Sequence, residues 1–198
     1  MTDTFRTIAA PAEGQYTEKR SKFLAFAFPV QTADEVKALV EAHQKKYYDA
    51  RHVCYAYMLG HERQTFRAND NGEPSGTAGK PILGQINSNE LTDVLIIVVR
   101  YFGGVKLGTS GLIQAYKAAA AEAIAAATVI EKTVDEQVTV AFEYTLMNQV
   151  MRVVKEEGPA ILSQTFDNDC LMTLSIRASM MPRLRQRLEK IEKLRITE

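Results

Sequence analysis

The sequence predicts an α+β fold in two successive parts, and three observations carry that reading. The run Val94-Leu95-Ile96-Ile97-Val98-Val99 is short, apolar and rich in β-branched residues, which marks a strand buried on both faces. A glycine-rich loop follows it, and then Leu112 to Ala127, whose alanines and spaced Leu112, Ile113, Tyr116, Ala119, Ala120, Ala123 and Ile124 mark a closely packed helix. From Gln137 the hydrophobic spacing switches between strand and helix periods in the order βαββαβ.

Taken in order, Arg20 to Val30 places Leu24, Phe26 and Phe28 in alternation, as a strand that breaks at Pro29. Thr32-Ala33-Asp34-Glu35 has the form of a capping box, after which Val36, Leu39, Val40 and His43 share a helix face, His43 being half-buried. Val53 to Leu59 is apolar on both faces and reads as a central strand, with Arg63 to Arg67 as a further short one. Glu131 to Glu136 is polar and charged, so the domain boundary is placed there, giving domains 1–133 and 134–198. Beyond it Val138, Val140 and Phe142 alternate as a strand, and Leu146, Val150, Val153 and Val154 form a helix ended by Gly158-Pro159. Ala160 to Phe166 and Cys170 to Ala178 flank Asp167-Asn168-Asp169, a hairpin signal. Pro182 opens a helix with Leu184, Leu188 and Ile191 inward, and Arg195-Ile196-Thr197 closes the set, an order that is ferredoxin-like.

Composition narrows the function classes. A chain of 198 residues with 46% hydrophobic and 24% charged residues can bury one sizeable core or two small ones. The first residues lack an apolar signal region, and no stretch reaches the roughly eighteen apolar residues of a membrane span, so a cytoplasmic protein with no membrane contact is expected. Cys54 and Cys170 lie far apart in separate predicted strands, which indicates neither a disulfide framework nor a zinc motif; no metal or cofactor is expected. The 24 basic and 24 acidic side chains cancel, with 15 against 14 up to Thr133 and 9 against 10 after it. Nonspecific nucleic-acid domains carry a basic excess, so any RNA contact must use a local patch.

Two glycine-rich strings are the candidate functional face: Asp70 to Pro81 and Arg100 to Gly111. The second follows a strand and precedes a helix, whose unpaired N–H groups and positive dipole end suit an anion, with Lys106, Thr109 and Ser110 around it. Gly103 to Ser110 has the glycine spacing of a P-loop but threonine where the phosphate-gripping lysine belongs, which rejects a P-loop NTPase. That loop has no G-x-G-x-x-G either, so a dinucleotide-binding reading has no support. Arg100, Lys106, Lys80 and Arg51 are the candidate basic patch, while Tyr101 and Phe102 either stack on a base or fill the core. The last helix carries Arg183, Arg185, Arg187, Lys190 and Lys193, read as a solvated face or a second basic contact.

Three strings carry a resemblance: His52-Val53-Cys54-Tyr55-Ala56-Tyr57, then Asp70 to Pro81, then Val99 to Gly108, supported upstream by Lys19-Arg20-Ser21-Lys22-Phe23. In order, spacing and identity they resemble the Impact/YigZ family over roughly residues 15 to 127, and the remainder fits its bacterial branch. The chain departs from the pattern at Asn71, where an acidic residue is expected, and at Ser110, where glycine is common. The resemblance implies an N-terminal domain like the second domain of ribosomal protein S5 and a ferredoxin-like C-terminal domain, a pair similar to the last two domains of the translocating elongation factor. It also implies a link to translational control. In the eukaryotic branch that link runs through a partner that activates a stress kinase and uses an extra N-terminal domain, which nothing before Phe5 is expected to supply.

Three functional readings stay open. In the first, the protein regulates translation by binding RNA, the ribosome or a ribosome-associated partner: loop N–H groups with Arg100 or Lys106 engage phosphates, and Asp70 and Glu73 hold loop shape or a basic partner. Arg51, His52, Ser75, Thr77, Lys80, Thr109 and Ser110 complete that site. In the second, a phosphate- or nucleotide-binding enzyme uses the same loops, with Asp70, Glu73, Ser75 and Thr77 holding hydrated magnesium. The resemblance leaves room for this, since related S5-like folds include small-molecule kinases. His52 beside Cys54 has no evident third group to orient a base, so no catalytic residue is assigned. In the third, the protein is an interaction module for a translational regulator, without RNA.

Overall fold

The computed structural model describes residues 3–166 and 169–197, which divide into two compact units, one of residues 5–132 and one of residues 133–197 with Asp3 and Thr4. The N-terminal unit runs β1 (Thr4–Ile8), β2 (Ala12–Glu18), β3 (Ser21–Pro29), α1 (Ala33–Lys46), β4 (His52–Leu59), β5 (Thr65–Asn69), α2 (Gly79–Ser88), β6 (Val94–Tyr101), α3 (Gly108–Ala126) and β7 (Val129–Thr133). Strands β2-β3-β6-β4-β5 form one antiparallel sheet, and β1 pairs with β7 in a separate ribbon.

Strand β6 is central, and all six residues of Val94–Val99 are fully buried. Alternate side chains point to opposite faces of a sheet. Val94, Ile96 and Val98 therefore pack with Phe23, Ala25, Ala27, Cys54 and Ala56 under α2 and α3, while Leu95, Ile97 and Val99 pack with Phe26, Val36 and Val40 under α1. Burying each such side chain contributes about 1.5–3 kcal/mol, so β6 is a rigid base for whatever its last residues carry. The next residue on the helix-covered face is Arg100, opposite His52 on β4 and Phe23 on β3.

Several elements differ from the sequence reading. The hydroxyl of Thr32 accepts the Glu35 N–H at 3.2 Å as expected, but Glu35 accepts from the Gln31 N–H rather than closing the box on Thr32. His43 is buried, its ring 5.0 Å from Phe26 and 5.2 Å from Phe28, with Nδ1 donating to the Leu39 carbonyl. Helix α3 begins at Gly108, so Thr109, Ser110 and Gly111 form its first turn instead of a loop. Helix α2 and strands β1 and β2 are additional. The polar stretch from Glu131 is the end of β7 and the start of the next strand, because charged side chains on one exposed face do not prevent backbone pairing.

The C-terminal unit runs β8 (Asp135–Phe142), α4 (Met147–Glu157), β9 (Ala160–Phe166), β10 (Cys170–Arg177), α5 (Met181–Leu188) and β11 (Arg195–Thr197). The sheet order is β11-β8-β10-β9, with every pairing antiparallel. Gly158 ends α4 in the left-handed region at φ 72°, its N–H bonded to the Val154 carbonyl. Part of the hairpin signal, Asp167 and Asn168, lies outside the described residues. The basic run is partly neutralised within this unit. Arg183 pairs with Glu157 at 3.0 Å, and Arg187 bridges Glu156 and Glu157, which leaves less free charge than the sequence suggests.

Candidate functional site

The two glycine-rich strings meet in the N-terminal unit. Gly72, Glu73 and Pro74 from the first and Arg100, Phe102, Lys106, Leu107, Gly108 and Thr109 from the second line one cleft of about 430 Å³, with Arg51, His52 and Leu112. The convergence follows from the strand register. Strands β5 and β6 flank β4 and both run antiparallel to it, with Asn69 opposite Tyr55 and Arg100 opposite His52, so the segments that leave β5 and β6 emerge at the same end of the sheet.

The floor is a buried polar network. Arg100 Nη1 donates to Glu73 Oε1 at 2.6 Å, and the Tyr116 hydroxyl donates to the same oxygen at 2.8 Å. Glu73 and Arg100 are 8% and 7% exposed, so the two donors stand in for the water that burial takes from Glu73. The Arg100 guanidinium also lies 5.6 Å from the Phe23 ring centroid and 5.8 Å from that of Phe102. Its Nε is buried without a hydrogen-bond partner among the described residues. Arg100 is therefore held in an ion pair rather than standing free for a phosphate, a correction that the alternation of β6 makes necessary.

His52 adjoins this network. Its Nδ1 lies 2.7 Å from the Asn71 carbonyl, and because a carbonyl can only accept, Nδ1 carries a proton. Nε2 lies 3.8 Å from Glu73 Oε2. Burial, followed by the adjoining Cys54 sulfur and the Glu73 carboxylate, pushes the Tyr116 phenol well above its ordinary range, so it stays a donor. Burial likewise pushes the Cys54 thiol up to about 12, and its sulfur lies 3.0 Å from the Asp70 carbonyl. A protonated, enclosed thiol is no nucleophile, and among the described residues no hydrogen bond joins His52 to it.

The first loop is organised from within. Asp70 Oδ1 accepts the N–H groups of Ala78 at 3.0 Å and Gly79 at 2.8 Å, and Oδ2 accepts that of Gly76 at 2.8 Å. Ala78 and Gly79 open α2, which has no cap from its own N-cap side chain, so a carboxylate eight residues earlier caps it. Burial raises the Asp70 carboxyl, but the three N–H donors and the Lys80 charge outweigh it and hold the group below its ordinary value. The Thr77 hydroxyl donates to the Pro74 carbonyl at 2.6 Å.

Of the candidate site residues, Arg51, His52, Glu73, Arg100, Lys106 and Thr109 line the cleft, whereas Asp70, Ser75, Thr77, Lys80 and Ser110 do not. Asp70 and Thr77 are committed to the loop's own backbone, and Lys80 lies in the first turn of α2. The carboxylates of Asp70 and Glu73 are both turned toward donors, which is the opposite of what a magnesium ion needs. Among the described residues no group of three or more His, Cys, Asp or Glu side chains is placed to hold a metal ion. The sequence marks Tyr116 as helix packing alone; its spacing on α3 is that of a core residue, and nothing local marks its hydroxyl as a Glu73 donor. Tyr101 and Phe102 separate: Tyr101 turns to the α1 face and donates to Asp49, while Phe102 is 45% exposed on the cleft.

Gly103 fixes the second loop against the hairpin between β2 and β3. Its N–H donates to the Ser21 hydroxyl at 3.1 Å, and a Cβ there would stand 2.1 Å from the Arg20 carbonyl carbon. Gly103→Ala is expected to destabilise the N-terminal unit by about 2–3 kcal/mol, because rigid backbone rather than a movable side chain opposes the new methyl. The urea midpoint by circular dichroism checks it; an unchanged midpoint would mean that the loop swings aside freely.

The fold and site define a two-unit α+β protein with a cation-lined cleft in its N-terminal unit. The family model described as the Impact N-terminal domain matches residues 19–124, which enclose every residue of the cleft. The chain belongs to the Impact family. It is similar to the IMPACT family member YvyE of Bacillus subtilis (strain 168), 32% identical over 156 residues that cover 79% of this chain and 72% of that one. It is also similar to the IMPACT family member YigZ of Escherichia coli (strain K12), 31% identical over 173 residues, 86% and 85% of the two chains. A solved crystal structure of a hypothetical protein superposes with a TM-score of 0.75 at 28% identity, over 99% of this chain and 97% of that one. No helix among the described residues is long and apolar enough to cross a membrane.

Proposed function

We propose that this protein is a cytoplasmic regulator of translation that binds RNA, alone or within the ribosome, through the cleft shared by its two glycine-rich loops. One observation carries the reading: three cations, Arg51, Arg100 and Lys106, face a single carboxylate, Glu73, around the start of a helix, with an exposed Phe102 on the rim. Glu73 is already matched by Arg100, so Arg51 and Lys106 give the cleft its net charge. In an electrically neutral chain this is the local patch that phosphate contact requires. We read the chain as an N-terminal domain of residues 1–133 like the second domain of ribosomal protein S5 and a ferredoxin-like domain of residues 134–198. The βαββαβ order and the β11-β8-β10-β9 sheet support the latter. Family membership supports the place in translation.

The test is titration of a short fluorescein-labelled single-stranded RNA, followed by anisotropy. Lys106→Glu is expected to weaken binding by about tenfold or more and to lower the slope of log affinity against log salt by about 1. Undiminished affinity of the Lys106→Glu protein would refute the assignment of the cleft.

A further inference from the structure

The cleft's dimensions and charge specify more than a general affinity for RNA. Its volume of about 430 Å³ falls within the roughly 300–1,000 Å³ of small-molecule sites, which is room for one nucleotide rather than for a run of them. Helix α3 opens at its edge with no side-chain cap, and Gly108 and Thr109 of its first turn line the cleft, where the unpaired N–H groups and positive dipole end of a helix start favour an anion. A helix start alone is not a site; here it coincides with further features. Among the described residues neither Arg51 nor Lys106 belongs to an ion pair, and both line the same cleft. Arg100 is buried there too, with one N–H group committed to Glu73 and its Nε left without a partner. Phe102 is 45% exposed, and its ring lies 5.8 Å from the Arg100 guanidinium, so a flat cation holds the aromatic in place while much of its surface stays open.

Two free cations and a helix start suit a group carrying more than one negative charge. An internal phosphodiester carries a single charge, whereas a terminal phosphate monoester carries about −1.5 to −2 at neutral pH and has three strongly accepting oxygens. Resting on the RNA-binding reading above, we propose that the cleft receives the phosphorylated end of an RNA, one terminal nucleotide at a time. The monoester sits on the first turn of α3 between Lys106 and Arg51, and the base lies on Phe102. The recognised chemistry is the monoester itself, and either end of an RNA can supply it.

The experiment uses the full chain and three versions of one short RNA, with a 5′-phosphate, a 3′-phosphate or hydroxyl groups at both ends. At least one phosphorylated version is expected to bind about tenfold more tightly than the hydroxyl-ended one. Lys106→Ala should abolish that difference. Phe102→Ala should weaken the phosphorylated RNA severalfold while preserving its advantage, since stacking and phosphate contact are separate. A nucleoside monophosphate should compete, and the matching nucleoside should not. Equal affinity for all three RNAs, lost on Lys106→Glu substitution, would overturn end recognition and leave the RNA-binding cleft standing. A phosphate preference that survives Lys106→Ala would place it elsewhere, and no binding by any of the three would remove both readings. Circular dichroism of the two alanine variants separates lost binding from lost folding.

Discussion

Glu73→Ala is expected to destabilise the N-terminal unit by about 3–5 kcal/mol, the range for removing one partner of a buried ion pair. The side chains of Glu73 and Arg100 are 4% and 8% exposed, so neither can exchange its partner for water. The substitution would leave the guanidinium enclosed between Phe23 and Phe102 with its charge uncompensated, and the Tyr116 hydroxyl without its acceptor. The contrast is Arg152 with Glu156 on α4, likewise an ion pair, at 3.0 Å, but with side chains 79% and 41% exposed. Breaking that pair should change stability by no more than about 0.5 kcal/mol. Urea unfolding monitored by circular dichroism reads both. The double substitution Glu73→Leu with Arg100→Met should recover much of the loss, because apolar residues of similar volume often replace a buried pair at little cost. A loss below about 1 kcal/mol for Glu73→Ala would show that water reaches the pair.

This network shows where sequence reasoning succeeds and where it stops. Strand β6 and the α1 face were legible because hydrophobic periodicity is a local signal: Val94–Val99 can only be doubly buried, and Thr32 to His43 repeats at helical spacing. The six elements from β8 to β11 were legible for the same reason. Helix α2 was not, since Gly79-Lys80-Pro81 reads as a turn and its cap, Asp70, lies outside the window in which capping residues are sought. The convergence of the two loops depends on β5 and β6 both pairing antiparallel with β4, an arrangement that neither loop shows alone. Charge misled in a consistent way. Arg100 stands in a loop-like string and reads as a surface cation, yet the alternation begun by Val94, Ile96 and Val98 carries it under the helices, where only Glu73 makes it tolerable. Arg183 and Arg187 read as a basic face and are answered by α4 carboxylates contributed by a distant stretch of chain.

Asp70→Ala should destabilise the N-terminal unit by about 3 kcal/mol, above the loss of an ordinary helix cap, because three backbone donors depend on the one carboxylate. Without it the N–H groups of Gly76, Ala78 and Gly79 lose their acceptor at the point where the first loop becomes α2. Gly79 cannot retreat, since its α-carbon lies so close to β5 that a Cβ would stand 2.5 Å from the Asn69 nitrogen. The same group makes stability pH-dependent, and its sign is set by the direction of the shift. The folded carboxyl titrates below its unfolded value, so the ionised form favours the fold. That contribution is fully present above the unfolded carboxylate range near about pH 4 and is lost as pH falls through the lower folded value. Between neutral pH and about pH 5 Asp70 should therefore add no slope, and below about pH 4 the wild-type protein should lose stability faster than Asp70→Asn protein, which has no proton to take up. Denaturant midpoints measured across that range decide it: parallel acid limbs for the two proteins would mean that the three N–H bonds do not hold the carboxylate in solution, and that the start of α2 is maintained by packing of Ile82 and Ile86 alone.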